Sequence, residues 1–190
     1  LFLKGANISL APGPHAGLQA LAYAYDAVSQ SDCGYMLAGA ADEVNSIGYL
    51  KYSLIDFLCQ GEHEKDYRIR LDQKKQKVIG EGAGMLLVEP LEEARKRQAT
   101  IYGEILGYGM SMDAGGFTQQ SLDPQGLMHA ASTALRRSGL DSSDIDCIVW
   151  APQGNIQDKK VIDACEGLFA GRCERIPFVT TTLNTGFIES

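Results

Sequence analysis

The period of the apolar residues changes repeatedly along this chain, and that alternation limits the available folds more than any other property. Asn7 to Ala11 reads as a short strand, after which Leu18, Leu21, Ala22, Tyr25 and Val28 recur at helical spacing and predict one buried helix face. Tyr35 to Ala38 reads as a buried strand, Ile47 to Leu58 as a second helix, and Gln60 to Lys77 as a polar, highly charged surface loop. An apolar strand follows over Val78 to Glu89, then Pro90 and a charged helix from Leu91 to Arg97. Ile101 to Met112 alternates as an adjoining strand. Asp123 and Pro124 offer an N-cap carboxylate and a first-turn proline to a helix carrying Leu127, Ala131, Ala134 and Leu135, which Gly139 closes. Ile145 to Ala151 is a predicted strand, Asp158 to Phe169 a helix, and Phe178-Val179 a last strand. Strands alternating with helices imply an α/β fold in which helices cover a mainly parallel sheet.

A chain of 190 residues has enough length for one large or two small domains with a real core. Its net charge of −7, with Lys and Arg scattered along the chain, argues against nucleic acid and against an anionic membrane surface as partners. Cys33, Cys59, Cys147, Cys165 and Cys173 form no CxxC pair and no metal-ligand spacing with His15, His63 or His129. They read as reduced, mostly buried thiols of a cytoplasmic protein. The sequence contains no signal-peptide pattern and no transmembrane run. Gly80, Gly82 and Gly84 invite a dinucleotide-loop reading, but they precede an apolar strand, and that motif must lie between a strand and a helix. Neither a cofactor nor a metal is expected.

Ala11-Pro12-Gly13-Pro14, taken alone, is a loop before a helix. In context it carries more. The stretch GANISLAPGPHAGLQALAYAYDAVSQSDCGYMLAGAADEV, from Gly5 to Val44, resembles the nucleophile segment of the β-ketoacyl-acyl carrier protein synthases, or ketosynthases. That segment runs strand, tight turn bearing a cysteine, helix, then a strand ending in Ala-Gly-Gly. The patterns register without a gap from Asn7-Ile8-Ser9 to Met36-Leu37-Ala38-Gly39-Ala40, which sets Pro14 on the cysteine position. The resemblance continues through Gly80-Glu81-Gly82-Ala83-Gly84, Tyr102-Gly103-Glu104-Ile105, Ser138-Gly139-Leu140 and Asp144-Ile145-Asp146, so it covers nearly the whole chain. It implies a thiolase-like α/β fold, layered α/β/α with two similar halves: residues 1–77 as the latter part of the N-terminal half and 78–190 as the first part of the C-terminal half. Within one continuous unit of that kind, the chain reads as an internal fragment lacking the first strands and the C-terminal segment.

The residues that carry the family's chemistry are replaced one after another. Proline at position 14 has no nucleophilic atom, so the acyl thioester on which such condensations depend has nowhere to form. Its fixed φ suits the first turn of a helix instead. Where the family places a His-Gly-Thr motif, this chain has Gln153-Gly154-Asn155, and Gln153 exchanges no proton near neutral pH. Three residues after Asp158 a supporting glutamate becomes Val161. The lysine and histidine of the last motif become Thr182 and Phe187. His15, beside Pro14, has no acidic orienter next to it, and His63 and His129 fit a polar loop and a helix surface.

Ketosynthase-like chains without the cysteine resemble the chain length factors of type II polyketide and related polyene systems, which usually carry glutamine where this chain has proline. The resemblance implies a heterodimer with a catalytic ketosynthase subunit, in which the inactive chain shapes the end of the acyl tunnel in polyketide or fatty-acid-like elongation. Acyl carrier protein would be contacted through that complex. Two other readings stay open: an acyl-thioester hydrolase or acyltransferase of altered chemistry, and a homodimeric scaffold.

Overall fold

The structure is a computed structural model that describes residues 5–11, 13, 15–54, 58, 79–112, 122–152, 157–169 and 171–180. These residues fall into two compact units, one within 5–44 and 80–105, the other within 45–79 and 106–180.

The first unit is organised on a two-stranded antiparallel ladder. Strand β1 (Met36–Asp42) pairs with β2 (Gly82–Val88) from Met36 opposite Val88 to Asp42 opposite Gly82. Because side chains alternate across a strand, Ala38 and Ala40 share one face with Leu86 and Gly84, while Leu37 and Gly39 share the other with Leu87 and Met85. Helix α1 (Ala16–Ser29) packs on the Ala40 face, where a Cβ on Gly17 would come 3.3 Å from that of Ala40. The helix buries Ala22, Ala24, Ala27 and Val28, so small residues let its backbone approach the sheet. Leu18 lies 73% exposed, so the buried face is rotated toward the alanines relative to the predicted one. Helix α3 (Leu91–Lys96) follows β2 with Glu92 and Glu93 in its first turn and Arg95 and Lys96 in its last, each matched in sign to the helix dipole. Beyond its end, Arg97 grips Glu89 with two guanidinium nitrogens.

The second unit contains α2 (Ser46–Leu54), α4 (Gln125–Ser138), α5 (Gln157–Phe169) and a short parallel pair, β3 (Ile148–Val149) with β4 (Phe178–Val179). Asn45 Oδ1 accepts the Gly48 N–H at 2.8 Å and starts α2. Asp123 Oδ1 accepts the Gln125 N–H at 3.0 Å, Pro124 sits in right-handed helical geometry, and Gly139 ends α4 in the left-handed region at φ 70°. The predicted cap, proline and terminator of α4 thus occupy their expected places. Cys165, Phe169, Cys173 and Ile176 form the core cluster, joined by half-buried Ile145, Ile148, Val161, Leu168 and Phe178. Trp150 meets Phe178 edge-on at 5.6 Å.

Six expectations change. Residues 7–11 form no strand; a strand exists only with a ladder partner, and no described residue pairs with them. Residues 101–112 form none either, because part of the segment packs on a helix: a Cβ on Gly109 would lie 1.8 Å from the Ala130 carbonyl oxygen of α4, and one on Gly107 2.8 Å from the Ser138 nitrogen. The longer ladder is antiparallel, since β1 and β2 meet running in opposite directions; only β3 and β4 are parallel. The strand expected over 145–151 shrinks to the two residues that pair with β4, and the helix expected to reach Leu58 is described only to Leu54. Finally, β1 runs on to Asp42 and is not fully buried, with Leu37 43% exposed. The polar stretch from Gln60 to Lys77 lies outside the described residues, as do Cys59 and His63.

Candidate functional site

Two places answer to the residues singled out in the sequence: the turn that leads into α1, and the first turns of α5. At the first, Gly13 takes φ +91°, a left-handed conformation that side chains disfavour, and its carbonyl accepts the Ala16 N–H at 3.0 Å. His15 follows at the N-cap, exposed, with a side chain that caps nothing, while its carbonyl accepts the Gln19 N–H at 3.0 Å. The first turn of α1 carries no acidic residue, so the positive end of the helix dipole is left without a neutralising side chain of its own. Pro14 itself lies outside the described residues.

At the second place, Asp158 and Lys160 are both buried in the first turns of α5, and each has an interaction partner. The carboxylate is favoured by the helix dipole at that end and the ammonium is opposed by it. Lys160 was not legible beforehand, because Asp158-Lys159-Lys160 reads in sequence as a solvated charged run. Val161 points elsewhere: it is half-buried and packs against the cluster of Cys165, Phe169, Cys173 and Ile176. Its contribution is apolar contact with that cluster. Within that cluster, burial together with neighbouring Cys173 pushes the Cys165 thiol up to about 11.

Of the five positions that the resemblance singles out, Val161 is the one the structure places; Pro14, Gln153, Thr182 and Phe187 fall outside the described residues. His129 is exposed on α4. Among the described residues, no group of His, Cys, Asp and Glu side chains is arranged to hold a metal ion, and no helix is long and apolar enough to cross a membrane.

Residues 1–94 match the profile of the β-ketoacyl synthase N-terminal domain, a stretch that runs through β1, β2 and most of α3. The chain is 30% identical over 190 residues to 3-oxoacyl-acyl-carrier-protein synthase 2 of Rhizobium meliloti, covering 98% of this chain and 45% of that protein. It is 48% identical over 71 residues to the mitochondrial 3-oxoacyl-acyl-carrier-protein synthase of Arabidopsis thaliana, covering 37% of this chain and 15% of that protein. Among solved structures, a type II polyketide ketosynthase in complex with its acyl carrier protein superposes with a TM-score of 0.88 at 25% identity, over 96% of this chain and 46% of that one. The ishigamide ketosynthase/chain length factor gives 0.80 at 25% identity, over 95% and 43%. The chain therefore has the α/β, thiolase-like ketosynthase fold and spans less than half the length of these relatives.

Proposed function

We infer, for a chain whose residues 1–94 belong to the β-ketoacyl synthase N-terminal domain family, that it serves as a noncatalytic ketosynthase-like subunit. In this reading it pairs with a catalytic ketosynthase, as a chain length factor does, and helps to wall the tunnel that holds the growing acyl chain. Condensation by the related synthases requires a nucleophile to carry the acyl group and proton-exchanging side chains to handle the malonyl unit. Proline, glutamine, valine, threonine and phenylalanine at positions 14, 153, 161, 182 and 187 supply no thiolate and no side chain that exchanges a proton near neutral pH.

The observation that carries the reading is Val161. Its side chain belongs to the packing of the α5 cluster, so the exchange for an apolar residue is integrated into the core and serves stability. A wall of apolar side chains is sufficient for a steric role, because each methylene left without burial costs on the order of 1 kcal/mol.

The test is native mass spectrometry of the full-length protein purified from its own host, combined with an acyl-transfer assay on the purified chain. A one-to-one complex with a cysteine-bearing ketosynthase, and no turnover of acyl thioesters by the chain alone, is the expected result. A homodimer, or hydrolysis or transfer of acyl thioesters without a partner, overturns the assignment.

A further inference from the structure

Cys165 lies near the C-terminal end of α5, and Cys173 opens the 3-10 turn Cys173–Arg175 that precedes β4. Both are buried, at 6% and 9% exposure, and both belong to one cluster with Phe169 and Ile176. The backbone between them doubles back. Gly171 adopts φ +80°, the Arg172 N–H donates to the Phe169 carbonyl at 2.9 Å, and the Arg175 N–H donates to the Arg172 carbonyl at 2.8 Å. This reversal returns the chain to the helix end and brings the two thiols, unbridged, into the same buried cluster. Two buried thiols of one cluster, on side chains held by a tight chain reversal, have the proximity that a disulfide requires.

We propose that Cys165 and Cys173 are a redox pair that closes to an intramolecular disulfide, stapling the end of α5 to the turn before β4. With a disulfide oxidant such as oxidised glutathione, one cysteine thiolate attacks a glutathione sulfur and expels glutathione thiolate, leaving a mixed disulfide. The second cysteine thiolate attacks the protein sulfur of that mixed bond and expels the second glutathione. Two electrons pass from the cysteines to glutathione, and the two cysteine protons end on the two released thiols. Because burial holds the Cys165 thiol near 11, little thiolate is present at neutral pH and closure is slow. The pair stays reduced under ordinary conditions and responds to sustained oxidation, after exposed Cys147 and half-buried Cys33 have reacted. Once closed, the staple stiffens the route into β4 and toward the residues that follow it in sequence, which include Thr182 and Phe187.

The test uses the full chain carrying Cys33→Ser, Cys59→Ser and Cys147→Ser, incubated folded with oxidised glutathione. Trypsin cleaves after Arg172, so the disulfide holds together two peptides that separate on reduction. The expected result is that linked pair, lighter by two hydrogens than its reduced parts, together with a higher thermal midpoint that dithiothreitol reverses and Cys173→Ala abolishes. If the triple variant does not fold, the same linked peptide is sought in the unsubstituted chain. A lasting glutathione adduct on one cysteine, or a link that forms only in denaturant, overturns the proposal.

Discussion

Glycine at position 109 is required by a neighbour and not by its own backbone. A Cβ there would sit 1.8 Å from the Ala130 carbonyl oxygen, and that oxygen belongs to the backbone of α4, which cannot give way as a flexible side chain would. Gly109→Ala is therefore expected to cost about 1–3 kcal/mol of stability, the usual range for overpacking, read as a lower denaturant midpoint. Gly139 offers the control: nothing lies within 4 Å of its Cβ position, so Gly139→Ala is penalised only for its φ of +70°. Val161 tests the site in the same way. Val161→Glu introduces the carboxylate that the family resemblance implies for this position but places it against the Cys165 and Phe169 cluster, with an expected loss of about 1–3 kcal/mol. Burial raises the pKa of such a carboxyl, so the folded state holds its proton to higher pH than the unfolded chain does. The loss is then smallest at acid pH and grows as pH rises past the unfolded carboxylate value, which urea titrations at several pH values will show. A loss independent of pH would mean that the new side chain escapes to solvent.

Between β2 and α3, the element scale is governed by a charge pair. Glu89 lies just beyond β2, and its hydrogen bonds from Arg97 hold its carboxyl below the ordinary value of 4.5. A carboxylate whose folded pKa is depressed stabilises the fold fully above the unfolded value and loses that contribution as pH falls through the folded one. Arg97→Gln should accordingly leave a shallower loss of stability below about pH 4.5, measured as thermal midpoint against pH, with a small effect at neutral pH because the guanidinium partner is exposed to solvent and salt. The helices were legible in the sequence because their signals are local: Asp123, Pro124 and Gly139 specify α4 by themselves. The strands were less so. Pairing is decided by residues far away in the chain, and the alternation of Ile101 to Met112 describes equally well a segment whose glycines lie along a helix. Of the candidate site, the residue identities at positions 14, 153, 161, 182 and 187 were legible in the sequence, whereas the packing role of Val161 and the burial of Lys160 depend on which face of α5 meets the core.

For the whole molecule, the proposed role predicts behaviour that neither unit shows alone. If the full-length protein binds a catalytic ketosynthase only when folded, its thermal midpoint rises with the concentration of that partner. Acyl carrier protein added without the ketosynthase should leave the midpoint unchanged, because carrier contact is expected to run through the complex. A rise with carrier protein alone would assign this chain a docking surface of its own. Exposed Leu37, Leu87 and Met85, on the sheet face away from α1, identify the apolar surface whose protection from hydrogen exchange such an experiment should follow. The β1–β2 ladder also governs how fast this chain can reach its structure. Even the pair nearest in sequence, Asp42 and Gly82, must meet across a long stretch of intervening chain, so the sheet cannot zip outward from a tight turn. The search is paid in entropy that grows with the logarithm of that span, and halving it returns about 0.6 kcal/mol, a roughly threefold faster closure if the ladder forms in the rate-limiting step. Helices α1, α4 and α5 close through local hydrogen bonds and need no such encounter, whereas the first unit is complete only once its two strands have met.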